Sequence, residues 1–271
     1  MLNLKDDPLK KVKGEYIILE WLDLGTLSNF ISNGNRLGIQ RLPNRLLYRF
    51  FLCLTRMCIA LAYPPGRTDD EEVTEEVQDD VIPTNITHND LHDGNILLGD
   101  PPADEEHEIA PIIKAIDFGL ATENSYADLL GTGQERNIFY IGGLMLELVA
   151  MDQTVSPFDI DPDNTEIVQW HDGETGEDVE FEAQSVGLLL PFRGPQDPMP
   201  WLDTLLKQLI CRCLANIAER PSLRELRDEL VGAMAKTGGS YGDPDGFESD
   251  TNVWAIWRAI TTYEPPPEYP E

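Results

Sequence analysis

The chain has 271 residues, 41% of them hydrophobic and 25% charged, which is enough apolar material for a packed core and argues against a disordered chain. Against 20 Lys and Arg stand 49 Asp and Glu, a net charge of −29. A field of that sign repels phosphate backbones and anionic lipid surfaces, so neither nucleic acid nor membrane is expected as a partner.

The acids gather in residues 69–80, 99–108, 151–184 and 239–271, where Arg258 is the single base. They read as solvated insertions at about 64–80, 99–110 and 152–184 and as an acidic, Pro-rich tail over 236–271, on a scaffold that is otherwise nearly neutral. The amino terminus MLNLKDDPLK has no apolar signal region, and no apolar run approaches the roughly 18–20 residues of a membrane span. The expected location is intracellular, cytoplasmic or nuclear. Cys53, Cys58, Cys211 and Cys213 lie in apolar, helix-like stretches and read as reduced, buried thiols.

Residues 1–14 read as an unstructured start, and EYIILEWL at 15–22 as a strand running into the Asp23-Leu24-Gly25 turn. Thr26 supplies a hydroxyl where the short helix TLSNFIS needs a cap. Leu46, Leu47, Phe50, Leu54, Met57 and Leu61 recur at three-and-four spacing, predicting a long core helix over 42–63. The runs ILLGD (96–100) and IIKAIDFG (112–119) predict a small hairpin with a lengthened connection. Residues 137–151 are apolar almost all round, the pattern of a helix buried on every side; 200–214 and 221–235 read as amphipathic helices. Trp254 and Trp257 mark a short helix near the end, expected as an intramolecular cap.

The chemistry-bearing stretch is His88-Asn89-Asp90-Leu91-His92-Asp93-Gly94-Asn95-Ile96-Leu97, followed by Ile116-Asp117-Phe118-Gly119. Asp90, Asn95 and Asp117 bring three oxygen-bearing side chains to two neighbouring loops. Hard oxygen ligands of this kind suit Mg²⁺, which is held by one or two carboxylates together with substrate phosphates. Phosphoryl transfer also needs a carboxylate beside the attacking hydroxyl.

These residues resemble the eukaryotic protein kinases and their kinase-like relatives, through the catalytic-loop pattern H-x-D-L-x-x-x-N and D-F-G in the right order. The segment from Ile18 to Leu27 looks like the hinge and following helix, Asn137 to Gly142 like the start of the central helix, and Glu219-Arg220-Pro221-Ser222 like the closing R-P-S segment. The resemblance covers about residues 15–235. It implies an α+β, predominantly helical fold: the large (C-terminal) lobe of a protein kinase with a remnant of the small lobe. It further implies ATP and Mg²⁺ as cofactors. Asp90 would orient the acceptor hydroxyl and take its proton, His92 would sit in the catalytic loop, and Asn95 and Asp117 would hold metal. Leu97 would form the floor beneath adenine, and Glu20 and Leu22 would offer hinge backbone groups.

Departures bear on activity. Only about 14 residues precede the hinge run, without a Gly-rich loop, a third-strand lysine or its helix glutamate, so weak nucleotide binding is expected for this chain alone, or a fragment whose amino-terminal lobe lies outside it. Asn89 stands where regulated kinases carry Arg, which argues against phosphate-switched activation. His92 replaces a lysine and resembles small-molecule phosphotransferases. Asn137 replaces Asp, and no A-P-E triplet is present, leaving Glu123 or Glu135 as possible partners of Arg220. The leading expectation is a Ser/Thr-type, Mg-ATP-dependent phosphotransferase truncated at the small lobe, with a protein substrate or binding partner. The alternatives are a catalytically inactive pseudokinase scaffold and a small-molecule phosphotransferase.

Overall fold

Local capping chemistry sets where the first helices start. The computed structural model describes residues 13, 19–64, 75–123, 130–155, 165–171, 176–243 and 245–264. Helix α1 (Leu27–Arg36) opens on Thr26, whose hydroxyl accepts from the Asn29 amide at 3.1 Å while the Asn29 side chain accepts from the Thr26 amide at 3.2 Å. Helix α2 (Asn44–Ala62) follows Pro43, which has no side chain to cap with. The carboxylate of Glu248, 204 residues away, does this instead, accepting from the Asn44 amide at 2.8 Å and the Arg45 amide at 3.1 Å. A negative group there satisfies orphan N–H groups and meets the positive end of the helix dipole.

Leu46, Leu47, Phe50 and Leu54 of α2 are buried as their spacing predicts, whereas Met57 and Leu61 at its far end are only partly so. Beside α2 lies α3 (Gly133–Ala150), which starts before the expected position 137 and has nearly every side chain buried. Its first turn presses on the chain just before β1 (Ile86–Thr87). A Cβ on Gly133 would stand 2.6 Å from the Asn85 Cα, so glycine allows this approach. Helix α4 (Thr204–Cys213) packs on α3, and α5 (Leu223–Met234) on α2.

The strands form three separate antiparallel pairs. β1 (Ile86–Thr87) pairs with β4 (Thr122–Glu123), and β2 (Ile96–Gly99) pairs with β3 (Ile112–Ala115) in the register Ile96 opposite Ala115, the hairpin expected from sequence. The strand expected over 15–22 is not formed in its described part. Residues 14–18 lie outside the described residues, and residues 19–22 carry no strand, with Leu19 and Trp21 exposed. The chain joins β2 only at Leu24–Thr26, where Leu24 N donates to Leu98 O (3.2 Å) and Leu98 N to Gly25 O (2.9 Å). An apolar run with no neighbouring edge among the described residues has no ladder to enter.

Within 152–184, read from sequence as an acidic insertion, stands a hairpin of two seven-residue strands, β5 (Thr165–His171) with β6 (Asp178–Gln184). Its inner face is apolar. Val168 and Ala183 are buried, and Trp170 packs against Phe181 and Phe192 with ring centres 5.5 and 5.9 Å away. Gln184 N donates to Leu214 O at 3.0 Å, tying the hairpin to the end of α4.

Helix α6 (Asp250–Thr261) folds back on α1. Val253, Trp257 and Ile260 are fully buried, and the indole N–H of Trp257 donates to Ile109 O at 3.1 Å, so the helix is an intramolecular cap. No helix among the described residues is long and apolar enough to cross a membrane.

Candidate active site

The loop after β1 is built from the core outward. His88 is fully buried, and its ring accepts from the Asp90 amide through Nδ1 (3.4 Å) while Nε2 faces Ile116 O at 3.0 Å. With Nδ1 accepting, the proton sits on Nε2 and is donated to that carbonyl. Burial holds the His88 pKa below its usual value, against the backbone bond to Ile116 and the Asp90 and Asp117 charges, which act to raise it. The ring also packs on Phe118, centroids 4.7 Å apart. A single neutral imidazole thus joins the loop of Asp90 to the loop of Asp117.

Asn137 of α3 anchors this assembly from below. Its Oδ1 accepts from the His88 amide at 3.1 Å and its Nδ2 donates to Ile86 O at 2.9 Å, with the residue 1% exposed. An aspartate could make only the first of these bonds. The asparagine that reads as a departure from the kinase pattern therefore suits a carbonyl and an amide at the same spot.

Asn95 is held by Asp90. Its Nδ2 donates to the Asp90 carbonyl (2.8 Å) and to Asp90 Oδ2 (3.0 Å), while its own carbonyl accepts from Ile116 N at 2.9 Å. Asp117 has left-handed backbone, φ +61° and ψ +66°, and its Oδ1 accepts from Gly119 N at 3.2 Å. For a residue other than glycine that conformation is uncommon and is associated with functional turns. Among the described residues Asn95 Oδ1 and the second Asp117 oxygen accept no hydrogen bond and Asp90 Oδ1 faces the His92 ring, so the two loops offer oxygen donors of the kind Mg²⁺ takes. Among the described residues no group of three or more His, Cys, Asp or Glu side chains is arranged to hold a metal.

His92 is bent toward its own loop. Its Nδ1 accepts from Gly94 N at 3.1 Å, and its Nε2 lies 4.0 Å from Asp90 Oδ1. Asn89, also left-handed at φ +60°, sends its amide to Leu120 O (3.0 Å) and Thr122 Oγ1 (2.8 Å), which pins the segment after Asp117 without a phosphate.

The three residues expected near a base lie along the β2–β3 hairpin. Leu97 points away from its buried neighbours Ile96 and Leu98 and bridges to Thr26. Leu22 lies over Gly99, where an added Cβ would come within 2.4 Å of its Cδ2. The carboxylate of Glu20 is 2.5 Å from Lys114 Nζ, on the residue paired with Leu97. Of the start-segment lysines, Lys13 is exposed, and Lys5, Lys10 and Lys11 lie outside the described residues.

Arg220 is bound differently from either sequence option. Nη1 donates to Leu130 O (2.6 Å) and Glu135 O (2.8 Å), Nε donates to Ala215 O (2.8 Å), and the guanidinium lies 4.8 Å from the centre of the Phe139 ring. Backbone carbonyls replace the glutamate, because the Glu135 carboxylate caps α3 by accepting from the Thr132 amide and hydroxyl at 3.1 and 2.9 Å. Burial lowers the Arg220 pKa to about 10.

No protein-family model and no curated protein matches the sequence. Among solved structures the chain is similar to the BubR1 kinase domain, at 14% identity and a TM-score of 0.50, over 89% of this chain and 62% of that one. This likeness shows an α+β, protein-kinase-like fold, of which the chain spans 62% of the length of the domain it matches.

Proposed function

We propose that the chain is the large lobe of a protein-kinase-like phosphotransferase, and that the loops carrying Asp90 and Asp117 form its Mg-ATP end. The observation that carries this reading is the three-way tie between Asp90, Asn95 and Ile116, which holds both loops in one constellation. Asp90 orients a hydroxyl and accepts its proton, Asn95 and Asp117 hold Mg²⁺, and Mg²⁺ when bound neutralises phosphate charge. His92 beside Asp90 supplies a donor to a phosphate oxygen. Leu97 and Leu22 give adenine an apolar face, and the backbone at Glu20 and Leu22 borders it. Asn89, in place of a phosphate-reading arginine, leaves the segment after Asp117 set by amide bonds in every state. A protein Ser/Thr hydroxyl is the acceptor class proposed.

A second reading, a binding scaffold without catalysis, is favoured by one observation: Phe118 and Leu120, next to Asp117, are 47% and 60% exposed and form an apolar lip that a partner could cover. Calorimetric titration of the full chain with ATP and Mg²⁺, beside Asp117→Ala, separates the two. The phosphotransferase reading expects Mg-dependent binding that the substitution abolishes. Heat that is absent, or unchanged in Asp117→Ala, overturns it in favour of the scaffold.

A further inference from the structure

Between α2 and β3, a second group of side chains is assembled for chemistry. Cys53 of α2 places its Sγ 3.1 Å from His107 Nε2. His107 Nδ1 is 2.7 Å from Asp104 Oδ1, which also accepts from the His107 amide at 2.8 Å. A carboxylate only accepts, so Nδ1 carries the proton and the lone pair of Nε2 faces the thiol. His107 is 8% exposed, and the chain Asp104–His107–Cys53 opens into a cavity of about 330 Å³. Met57, Leu61, Ile113 and Phe118 make the cavity's apolar side.

The other three thiols have no such arrangement. Cys58, Cys211 and Cys213 are buried in the core, and burial raises the pKa of each. Burial also pushes the Cys53 thiol up to about 12, although the Ile113 backbone acts to lower it. A standing thiolate is therefore not what distinguishes Cys53; a positioned base is.

We infer that Cys53, with His107 as its base and Asp104 holding the imidazole, is a modification site for α,β-unsaturated carbonyl compounds whose apolar end enters this cavity. Sulfur bonds to the β-carbon as the thiol proton passes to His107 Nε2. The π pair moves onto the α-carbon and oxygen, and the proton returns to the α-carbon. A thioether forms, no group leaves, and His107 ends neutral. The charged groups facing the thiol are Arg56 on α2, paired with Glu106 at 2.5 Å, Glu75, Asp104, and Lys114 on β3. The acids among them favour the imidazolium that forms when the proton moves.

The test is the rate of N-ethylmaleimide addition to the folded full chain, mapped to each cysteine by peptide mass spectrometry between pH 5.5 and 9. The adduct is expected on Cys53 at least about tenfold faster than on Cys58, Cys211 or Cys213, with a rate that rises from pH 5.5 and levels before pH 9. His107→Gln is expected to slow Cys53 by about tenfold or more and to remove the levelling. Asp104→Asn keeps an acceptor for the His107 amide and serves as the second variant if His107→Gln melts early. It is expected to slow Cys53 while its melting midpoint stays near that of the parent. Cys53 reacting no faster than Cys58 overturns the inference. So does a rate that climbs steadily to pH 9, or one that a folded His107→Gln or Asp104→Asn chain leaves unchanged.

Discussion

The exchange of one carboxylate for one amide at position 137 decides how the candidate active site is held. Asn137 meets a donor and an acceptor at once, the His88 amide and the Ile86 carbonyl, in a place that water does not reach. Asn137→Ala leaves both backbone groups buried and unpaired, and a loss of about 2–4 kcal/mol in urea unfolding is expected. Asn137→Asp keeps the acceptor but sets a carboxylate against the Ile86 carbonyl, so it is expected to recover less than half of that loss. Residues of this kind divide what sequence can reveal from what it cannot. Asp90, Asn95 and Asp117 stand out because their spacing along the chain is itself the pattern. Cys53 and His107 are 54 residues apart, and no local signal joins them. The partners of Arg220 were invisible for a related reason, since they are backbone carbonyls and any side chain can carry one.

At the scale of elements, helices were readable wherever an apolar stripe met a recognisable end. Helices α1, α2 and α3 follow from Thr26, from the stripe Leu46–Leu47–Phe50–Leu54, and from the apolar run after Asn137. The β5–β6 hairpin was hidden by its exposed face, where Gln169, Glu180 and Glu182 weigh on the composition. Its inward set, Val168, Phe181 and Ala183, alternates with them at the period of a strand. The described part of the strand expected over 15–22, residues 19–22, failed for the opposite reason, since apolar composition does not provide an edge to pair with. Helix α6 shows how much a late element can matter. Trp257→Ala removes a fully buried indole from beneath α6, where it meets Ile109, and about 3–5 kcal/mol of destabilisation is expected in denaturant unfolding. Trp257→Phe is expected to recover most of it, short of the bond to Ile109 O.

Across the whole molecule, charge and core are separated. The acids crowd a few stretches of the sequence, while the described helices share one apolar interior. Self-repulsion at −29 opposes the compact state, and added salt relieves it. Raising NaCl from about 0.01 to about 0.5 M shrinks the screening length several-fold, and the melting midpoint is expected to rise. A falling midpoint would mean that ion pairs such as Lys207 with Asp197 outweigh the repulsion. Between the Asp90 and Asp117 loops, the bonds are amide to carbonyl, imidazole to carbonyl and amide to hydroxyl, with no ion pair from one loop to the other among those described. Ionic strength can therefore tune how firmly this molecule holds together while the spacing of its candidate active site stays fixed. A brine-stiffened and a dilute sample would present the same pair of loops.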